Sequence, residues 1–177
     1  MVSTVIETPR LLLCRHSLEL LAGYTAFWGA LTPTSNTMPT PVPLDSEAAW
    51  SRLLRFIGHW TLLGFGPFIV IDKHDNRVIG EVGFAYFHRG NGAIFDEYPE
   101  AMWKIDYHYQ GKGIASEAVR SAIVWFEEQR VAKRMVSMID PRNTASLRIA
   151  MQCGFRQFDS TTYKNNPVLL FERSVCV

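Results

Sequence analysis

Between Ala101 and Phe126 the chain changes its period once, at Gln110-Gly111-Lys112-Gly113, and this switch narrows the folds open to it. Before it, Ala101 to Ile105 reads as a strand. After it, Ala115, Ala118, Val119, Ala122, Trp125 and Phe126 recur at helical spacing over about four turns. A further strand, Met135 to Ile139, follows. Strands joined through a helix run parallel, because the crossover carries the chain back to the edge from which it left.

The rest of the sequence adds elements that cannot all be parallel. Leu11 to Arg15 reads as a short strand, and Leu18, Leu21, Thr25 and Trp28 predict a helix that Ser17 can cap and that ends near Ala30. Thr32 to Pro43 holds four prolines and reads as a loop. Asp45 can cap a second helix with the stripe Trp50, Leu53, Leu54, Ile57 and Trp60, closed by Gly64. Phe68 to Asp72 and Val78 to Tyr86, separated by turn formers, predict a hairpin, which is antiparallel. Thr144 to Cys153 predicts a helix ended by Gly154, and Phe155 to Phe158 and Leu169 to Arg173 are the last strands. The expected fold is therefore α/β (α+β), a mixed sheet of about seven strands flanked by about four helices.

At 177 residues the chain has room for one sizeable core, so residues 1–177 are expected to form a single domain. A net charge of +1 gives no field that would hold a nucleic-acid backbone, and nucleic acid is not an expected partner. The three cysteines, Cys14, Cys153 and Cys176, suit neither a disulfide framework nor a zinc site, and the five histidines lack ligand spacing. No metal is expected. Neither a secretory signal nor a membrane-spanning segment is legible, so a cytoplasmic protein is expected.

A strand that runs into Gly-x-Gly and then a helix leaves backbone N–H groups unpaired at the positive end of a helix dipole, a receptor for a pyrophosphate. The P-loop pattern is absent, and a dinucleotide turn fails because Gln110 and Ser116 stand where it needs glycines. About thirty residues on, close to one βαβ unit, Asp140-Pro141-Arg142-Asn143-Thr144-Ala145-Ser146 again joins a strand to a helix.

Taken together, Glu100 to Ile105, Gln110 to Ala115, Asn143 to Ser146 and Gly154-Phe155 resemble the GCN5-related N-acetyltransferases (GNAT). Thr8-Pro9-Arg10-Leu11 and Ile79 to Phe84 are similar to the group within them that acetylates ribosomal-protein N-termini, the RimJ/RimL type. The resemblance implies that acetyl-coenzyme A is the co-substrate and a primary amine the acceptor, a protein N-terminus or a small molecule. Gln110, Gly111, Gly113 and Ala115 match the family's pyrophosphate turn, with Lys112, Ile114 and Ser116 completing it. Ile105, with Asp106 and Tyr107 after it, matches the end of the strand that splays from its neighbour and pairs with the pantetheine arm. Asn143 matches a cofactor contact, and Ser146 lies where some members place a hydroxyl near the thioester sulfur. Gln152 departs from the family, which often has a basic residue there.

An amine held against a thioester needs an oxyanion site and an acceptor for its proton, and no covalent intermediate. Glu81, on the strand face expected to include Ile79, Gly83 and Ala85, is either that base or an ion-pair partner. Ser146 either protonates the leaving thiolate or only satisfies backbone N–H groups. Against acetyl transfer stand a module that binds acyl-coenzyme A without chemistry and a protein whose glycine turn is only structural. Monomer and homodimer are both open.

Overall fold

A computed structural model describes residues 4–30 and 43–175. The loop expected at Thr32 to Pro43 lies outside the described residues except for Pro43. Eight strands form one sheet in the order β1-β2-β3-β4-β5-β6-β8-β7. They are β1 (Thr4–Glu7), β2 (Leu11–Cys14), β3 (Phe68–Asp72), β4 (Arg77–Ala85), β5 (Glu100–Ile105), β6 (Arg134–Ile139), β7 (Arg156–Tyr163) and β8 (Asn166–Ser174). Every neighbouring pair is antiparallel except β5 and β6, as the helix between them requires. The helices are α1 (Leu21–Gly29), α2 (Ser46–Leu63), the single turn α3 (Ala93–Asp96), α4 (Ile114–Glu128) and α5 (Thr144–Gln152).

Alternation along the strands divides the core between two faces. Leu11, Leu13, Phe68, Val70, Val82, Phe84, Ala101 and Ile105 pack under the apolar side of α4, where Ile114, Ala118, Ala122 and Phe126 are buried. Cys14, Ile69 and Ile71 point the other way, to Leu20 and Tyr24 beside α1 and Leu53 of α2. One irregularity matters for the site. Val70 pairs with Gly80 and Ile71 with Val78, so Ile79 is an extra residue, a β-bulge on β4. Ile79 therefore joins the α4 face with Val82 and Phe84, and does not share a face with Glu81 as simple alternation predicts. Asp106 N–H donates to the Ile79 carbonyl over 2.8 Å and satisfies the bulge.

Local chemistry fixes several boundaries. Asp45 caps α2, its Oδ1 accepting from Ala48 N–H at 2.8 Å, and Gly64 closes that helix. Ser17 makes no side-chain cap; a 3-10 turn, Leu18–Leu20, leads into α1. The buried side of α2 is Ala49, Leu53, Phe56 and Trp60, while Trp50 and Leu54 are 40% and 43% exposed. The stripe expected for α2 was thus turned partly toward solvent. The β7–β8 hairpin is longer than its apolar residues suggest, because β7 is an edge strand with mostly exposed side chains.

Candidate active site

The site begins where two strands part. β5 and β6 share a single register pair, Glu100 with Val136, while β5 stays on β4 as far as Ile105 and β6 stays on β8 as far as Ile139. The fork leaves the last carbonyls and N–H groups of β5 without a strand partner on that side, available to an extended ligand. A cavity of about 540 Å³ opens there, bounded by Trp103, Lys104 and Ile105 of β5 and by the first turns of α4 and α5.

At one end of the cavity lies the glycine turn. Gly111 and Gly113 have φ of 72° and 75°, the left-handed region that a side chain disfavours. The first bonded N–H along α4 belongs to Glu117, which donates to the Gly113 carbonyl at 3.0 Å. Ahead of it, the N–H groups of residues 111–116 have no protein acceptor among the described residues, and together they form a concave donor array at a helix N-terminus. The turn is tied down from behind. Gln110 Nε2 donates to the Ile105 carbonyl at 3.1 Å, Lys112 Nζ to the His108 carbonyl at 2.9 Å, and Arg10 Nη1 to the Lys112 carbonyl at 2.7 Å.

The opposite wall is the start of α5. Asn143 caps it, its Oδ1 accepting from Ser146 N–H at 3.0 Å, which leaves the amide nitrogen of Asn143 as an unused donor among the described residues. Trp103 Nε1 donates to Ser146 Oγ at 3.1 Å. Because that hydroxyl accepts from the indole, its own proton is free to be donated elsewhere. The cavity thus unites Ile105, Gln110, Gly111, Gly113, Ile114, Ala115, Ser116, Asn143 and Ser146, as the motifs suggested.

Other expected residues stand apart from the cavity. Asp106 caps the 3-10 turn after β5, accepting from His108 N–H at 2.9 Å; Tyr107 is exposed, and Lys112 turns its ammonium back to His108. None of the three borders the cavity. Three cations that sequence reasoning passed over do border it: Lys104, Arg142 and Arg148. Arg148 lies four residues before Gln152, on the same helix face, so the positive charge missing at Gln152 is supplied one turn earlier. Burial holds the Lys104 ammonium below the usual lysine pKa.

Glu81 is fully buried outside the cavity, on the α1–α2 side, and as the antiparallel register partner of Lys104 it shares that face of the sheet with the Lys104 side chain. Its Oε1 accepts from Tyr24 Oη at 2.6 Å and from His16 Nε2 at 2.8 Å; its Oε2 accepts from both Nε (3.0 Å) and Nη2 of Arg52. Burial alone would raise its pKa, but the Arg52 charge, followed by the His16 hydrogen bond, outweighs it and holds the carboxyl at about 2. Burial and the adjacent carboxylate push the Tyr24 phenol well above its ordinary range. The sequence leaves Glu81 as a base or a cross-strand ion-pair partner; it makes an ion pair, but with Arg52 of α2 and not across the strands. A carboxylate so acidic and so fully bonded has no lone pair to offer an amine.

Comparison with known proteins agrees with this geometry. Residues 10–156 match the model of the acetyltransferase (GNAT) domain. The chain belongs to the GNAT acetyltransferases. Two Bacillus relatives align with this family member. The uncharacterized N-acetyltransferase p20 of Bacillus licheniformis is 27% identical over 86% of this chain and 82% of its own. The uncharacterized protein YkkB of Bacillus subtilis is 26% identical over 62% of each chain, so the match spans less than two thirds of that relative. Among solved structures, a Bordetella pertussis protein assigned to the GnaT family superposes with a TM-score of 0.86 at 29% identity, covering 96% of this chain and 99% of the other. The RimL ribosomal L7/L12 alpha-N-protein acetyltransferase shares the fold, with a TM-score of 0.75 at 15% identity over 99% and 96% of the two chains. The splayed sheet is thus the GNAT sheet, and the enzyme is an acetyltransferase. Among the described residues no helix is long and apolar enough to cross a membrane, and no cluster suited to a metal ion occurs.

Proposed function

We propose that this GNAT member transfers the acetyl group of acetyl-coenzyme A to a primary amine, by direct attack within a ternary complex. One observation carries the reading. The unpaired N–H groups of residues 111–116 stand at one end of the β5–β6 fork, and the Ser146 hydroxyl faces the same cavity. An anchored pyrophosphate would then run its pantetheine arm along Trp103 to Ile105 as an added strand, with the Asn143 amide as a further contact.

Holding the two reactants together supplies most of the acceleration, since a thioester is already electrophilic. A backbone N–H of β5 near Ile105 would meet the developing oxyanion. Attack by the amine nitrogen forms the C–N bond, and collapse of the tetrahedral adduct breaks the C–S bond. Ser146, oriented by Trp103, gives its proton to the departing thiolate and regains one from the acylated nitrogen, which sheds its second proton as the amide forms. The amine loses its proton to water at the cleft mouth, since Glu81 is sealed within its ion pair. Arg148 and Arg142 neutralise coenzyme phosphate charge at the other rim. Acetyl-coenzyme A and both acceptor classes, protein N-termini and small amines, meet in the cytoplasm, where we place the reaction.

Thiol release from acetyl-coenzyme A, measured over a panel of small amines and peptide N-termini, tests the proposal directly. Turnover of any member supports it. Tight coenzyme A binding with no turnover across the panel would leave a binding module and reject the transferase.

A further inference from the structure

Beyond Glu81, on the α1–α2 side of the sheet, cations and aromatic rings alternate in an unbroken series. The Arg52 guanidinium lies 4.4 Å from the Trp28 ring centre and 4.9 Å from that of Phe56. Arg55 lies 4.7 Å from Phe56 on one side and 5.7 Å from Phe87 on the other. Arg89 lies 4.6 Å from Phe87 and 5.2 Å from Tyr163. The ladder thus runs Trp28, Arg52, Phe56, Arg55, Phe87, Arg89, Tyr163, from α1 to β7, and its first arginine holds Glu81, the register partner of Lys104.

Stacking on a ring uses the face of a guanidinium and leaves all its N–H donors free in the plane, where they can grip an oxyanion. Both outer arginines do this with an internal carboxylate. Arg52 holds Glu81 through Nε and Nη2, and Arg89 holds Glu100 fork to fork, Nε to Oε2 at 2.5 Å and Nη2 to Oε1 at 2.8 Å. Arg55 alone lacks such a partner: no carboxylate forms an ion pair with it among the described residues, although the Glu81 charge is felt there, and residues 31–42 contain no Asp or Glu. Three cations against two anions leave one uncompensated charge, at the exposed central rung. Burial first, and then the charge of Arg52 with a smaller part from Arg89, lower the Arg55 pKa, against the opposing pull of Glu81 and Tyr24. A bound anion would add to that pull.

We propose that Arg55 binds an oxyanion, a carboxylate or a phosphate, carried by the acceptor amine. The acceptor is then an acid-bearing amine rather than a purely cationic one, an assignment that rests on the amine-transfer reading above. Lys104, which makes no ion pair among the described residues, adds positive charge on the same face of the sheet, beside Glu81.

The site is tested separately from the reaction. With the protein saturated by coenzyme A, so that the glycine turn is filled, inorganic phosphate and succinate are titrated by calorimetry into wild type, Arg55→Gln and Arg55→Lys. Saturable binding of at least one probe is expected, weakened at least tenfold in Arg55→Gln and partly kept in Arg55→Lys. Binding of phosphate alone assigns a phosphorylated acceptor, and binding of succinate alone a carboxylate. No saturable binding of either, or equal binding in Arg55→Gln, overturns the site. Amino acids are then compared with their methyl esters as acceptors. The acids should lead by tenfold or more in kcat/KM, and Arg55→Gln should erase that lead through KM. Equal use of acid and ester overturns the acceptor assignment. No turnover of either when another amine of the panel is acetylated overturns the acceptor assignment, whereas no turnover of any amine, with probe binding intact, rejects the amine-transfer reading and leaves the anion site standing.

Discussion

Arg10 and Glu117 meet across the back of the pyrophosphate turn: Arg10 Nε donates to Glu117 Oε2 at 2.6 Å, while Arg10 Nη1 donates to the Lys112 carbonyl at 2.7 Å. Thr8 Oγ1 and the Arg10 backbone N–H add bonds to Glu117 Oε1 at 2.6 and 3.2 Å. An acidic side chain in the first turn of α4 would otherwise repel a diphosphate at that helix end. Arg10 cancels its charge and fixes the turn at the same time. The Thr8-Pro9-Arg10-Leu11 segment therefore braces the glycine turn from behind, and on the proposed function it would act on the coenzyme through that turn.

The first prediction follows. Arg10→Ala should weaken coenzyme A binding by about three- to tenfold, on the order of 1 kcal/mol, since the pair is partly exposed and screened by solvent. Calorimetry with coenzyme A checks this, and an unchanged Kd would show that the turn holds its shape without Arg10.

The Trp103 indole bond to Ser146 gives a second test. Ser146→Ala should lower kcat about tenfold, the value of one hydrogen bond made to the departing thiolate, with coenzyme A affinity retained. Trp103→Phe keeps the hydroxyl and removes its orienting donor, so a smaller fall in kcat is expected. If both variants lose affinity and kcat in parallel, the hydroxyl supports binding only.

Gly80 lies in the β4 bulge, directly against the strand that borders the fork. A Cβ there would stand 2.6 Å from the Lys104 carbonyl oxygen and 2.5 Å from Ile105 Cδ1. Gly80→Ala should therefore push β5 off β4 and cost about 1–3 kcal/mol. Because β5 lines the cavity, coenzyme A binding should weaken as well. Thermal unfolding with and without coenzyme A measures both effects, and a variant as stable as wild type would mean that the bulge accommodates a methyl group.

These tests also mark where the sequence could be read and where it could not. The β5–turn–α4 segment and the α5 helix ended by Gly154 were legible, because glycines act on their immediate neighbours and leave a local signature. The bulge at Ile79 was not. A period-2 count has no means of registering one extra residue, so it placed Glu81 and Ile79 on one face. The partners that close over Glu81, namely His16, Tyr24 and Arg52, come from three separate stretches, and only tertiary packing unites them. On α2, Trp50 and Leu54 outweighed Ala49 and Phe56 in the apolar count, although shape and contact with α1 decide which side is buried. Arg148 did leave a signal, four residues before Gln152, that a search for displaced charge along the helix face would have found.

The final prediction concerns Glu81 and acid. In the unfolded chain its carboxyl titrates near 4.5, and in the folded protein at about 2. Between those values the unfolded state binds more protons than the folded one, so stability rises with pH across that window. The contribution of Glu81 is complete above about pH 4.5, declines as the pH falls toward 2 and is gone below it. Glu81→Gln removes the anion and leaves Arg52 facing a neutral amide, at a cost of about 3 kcal/mol at pH 7. The variant should also lose part of the wild type's fall in stability between pH 5 and pH 3. Urea unfolding at pH 7, 5 and 3 measures both effects. In the folded fraction of the variant, the acidic limb of the kcat profile should keep its midpoint, because the proton of the amine never passes through this carboxylate. A midpoint that moves in Glu81→Gln, with stability unchanged, would restore Glu81 as the base.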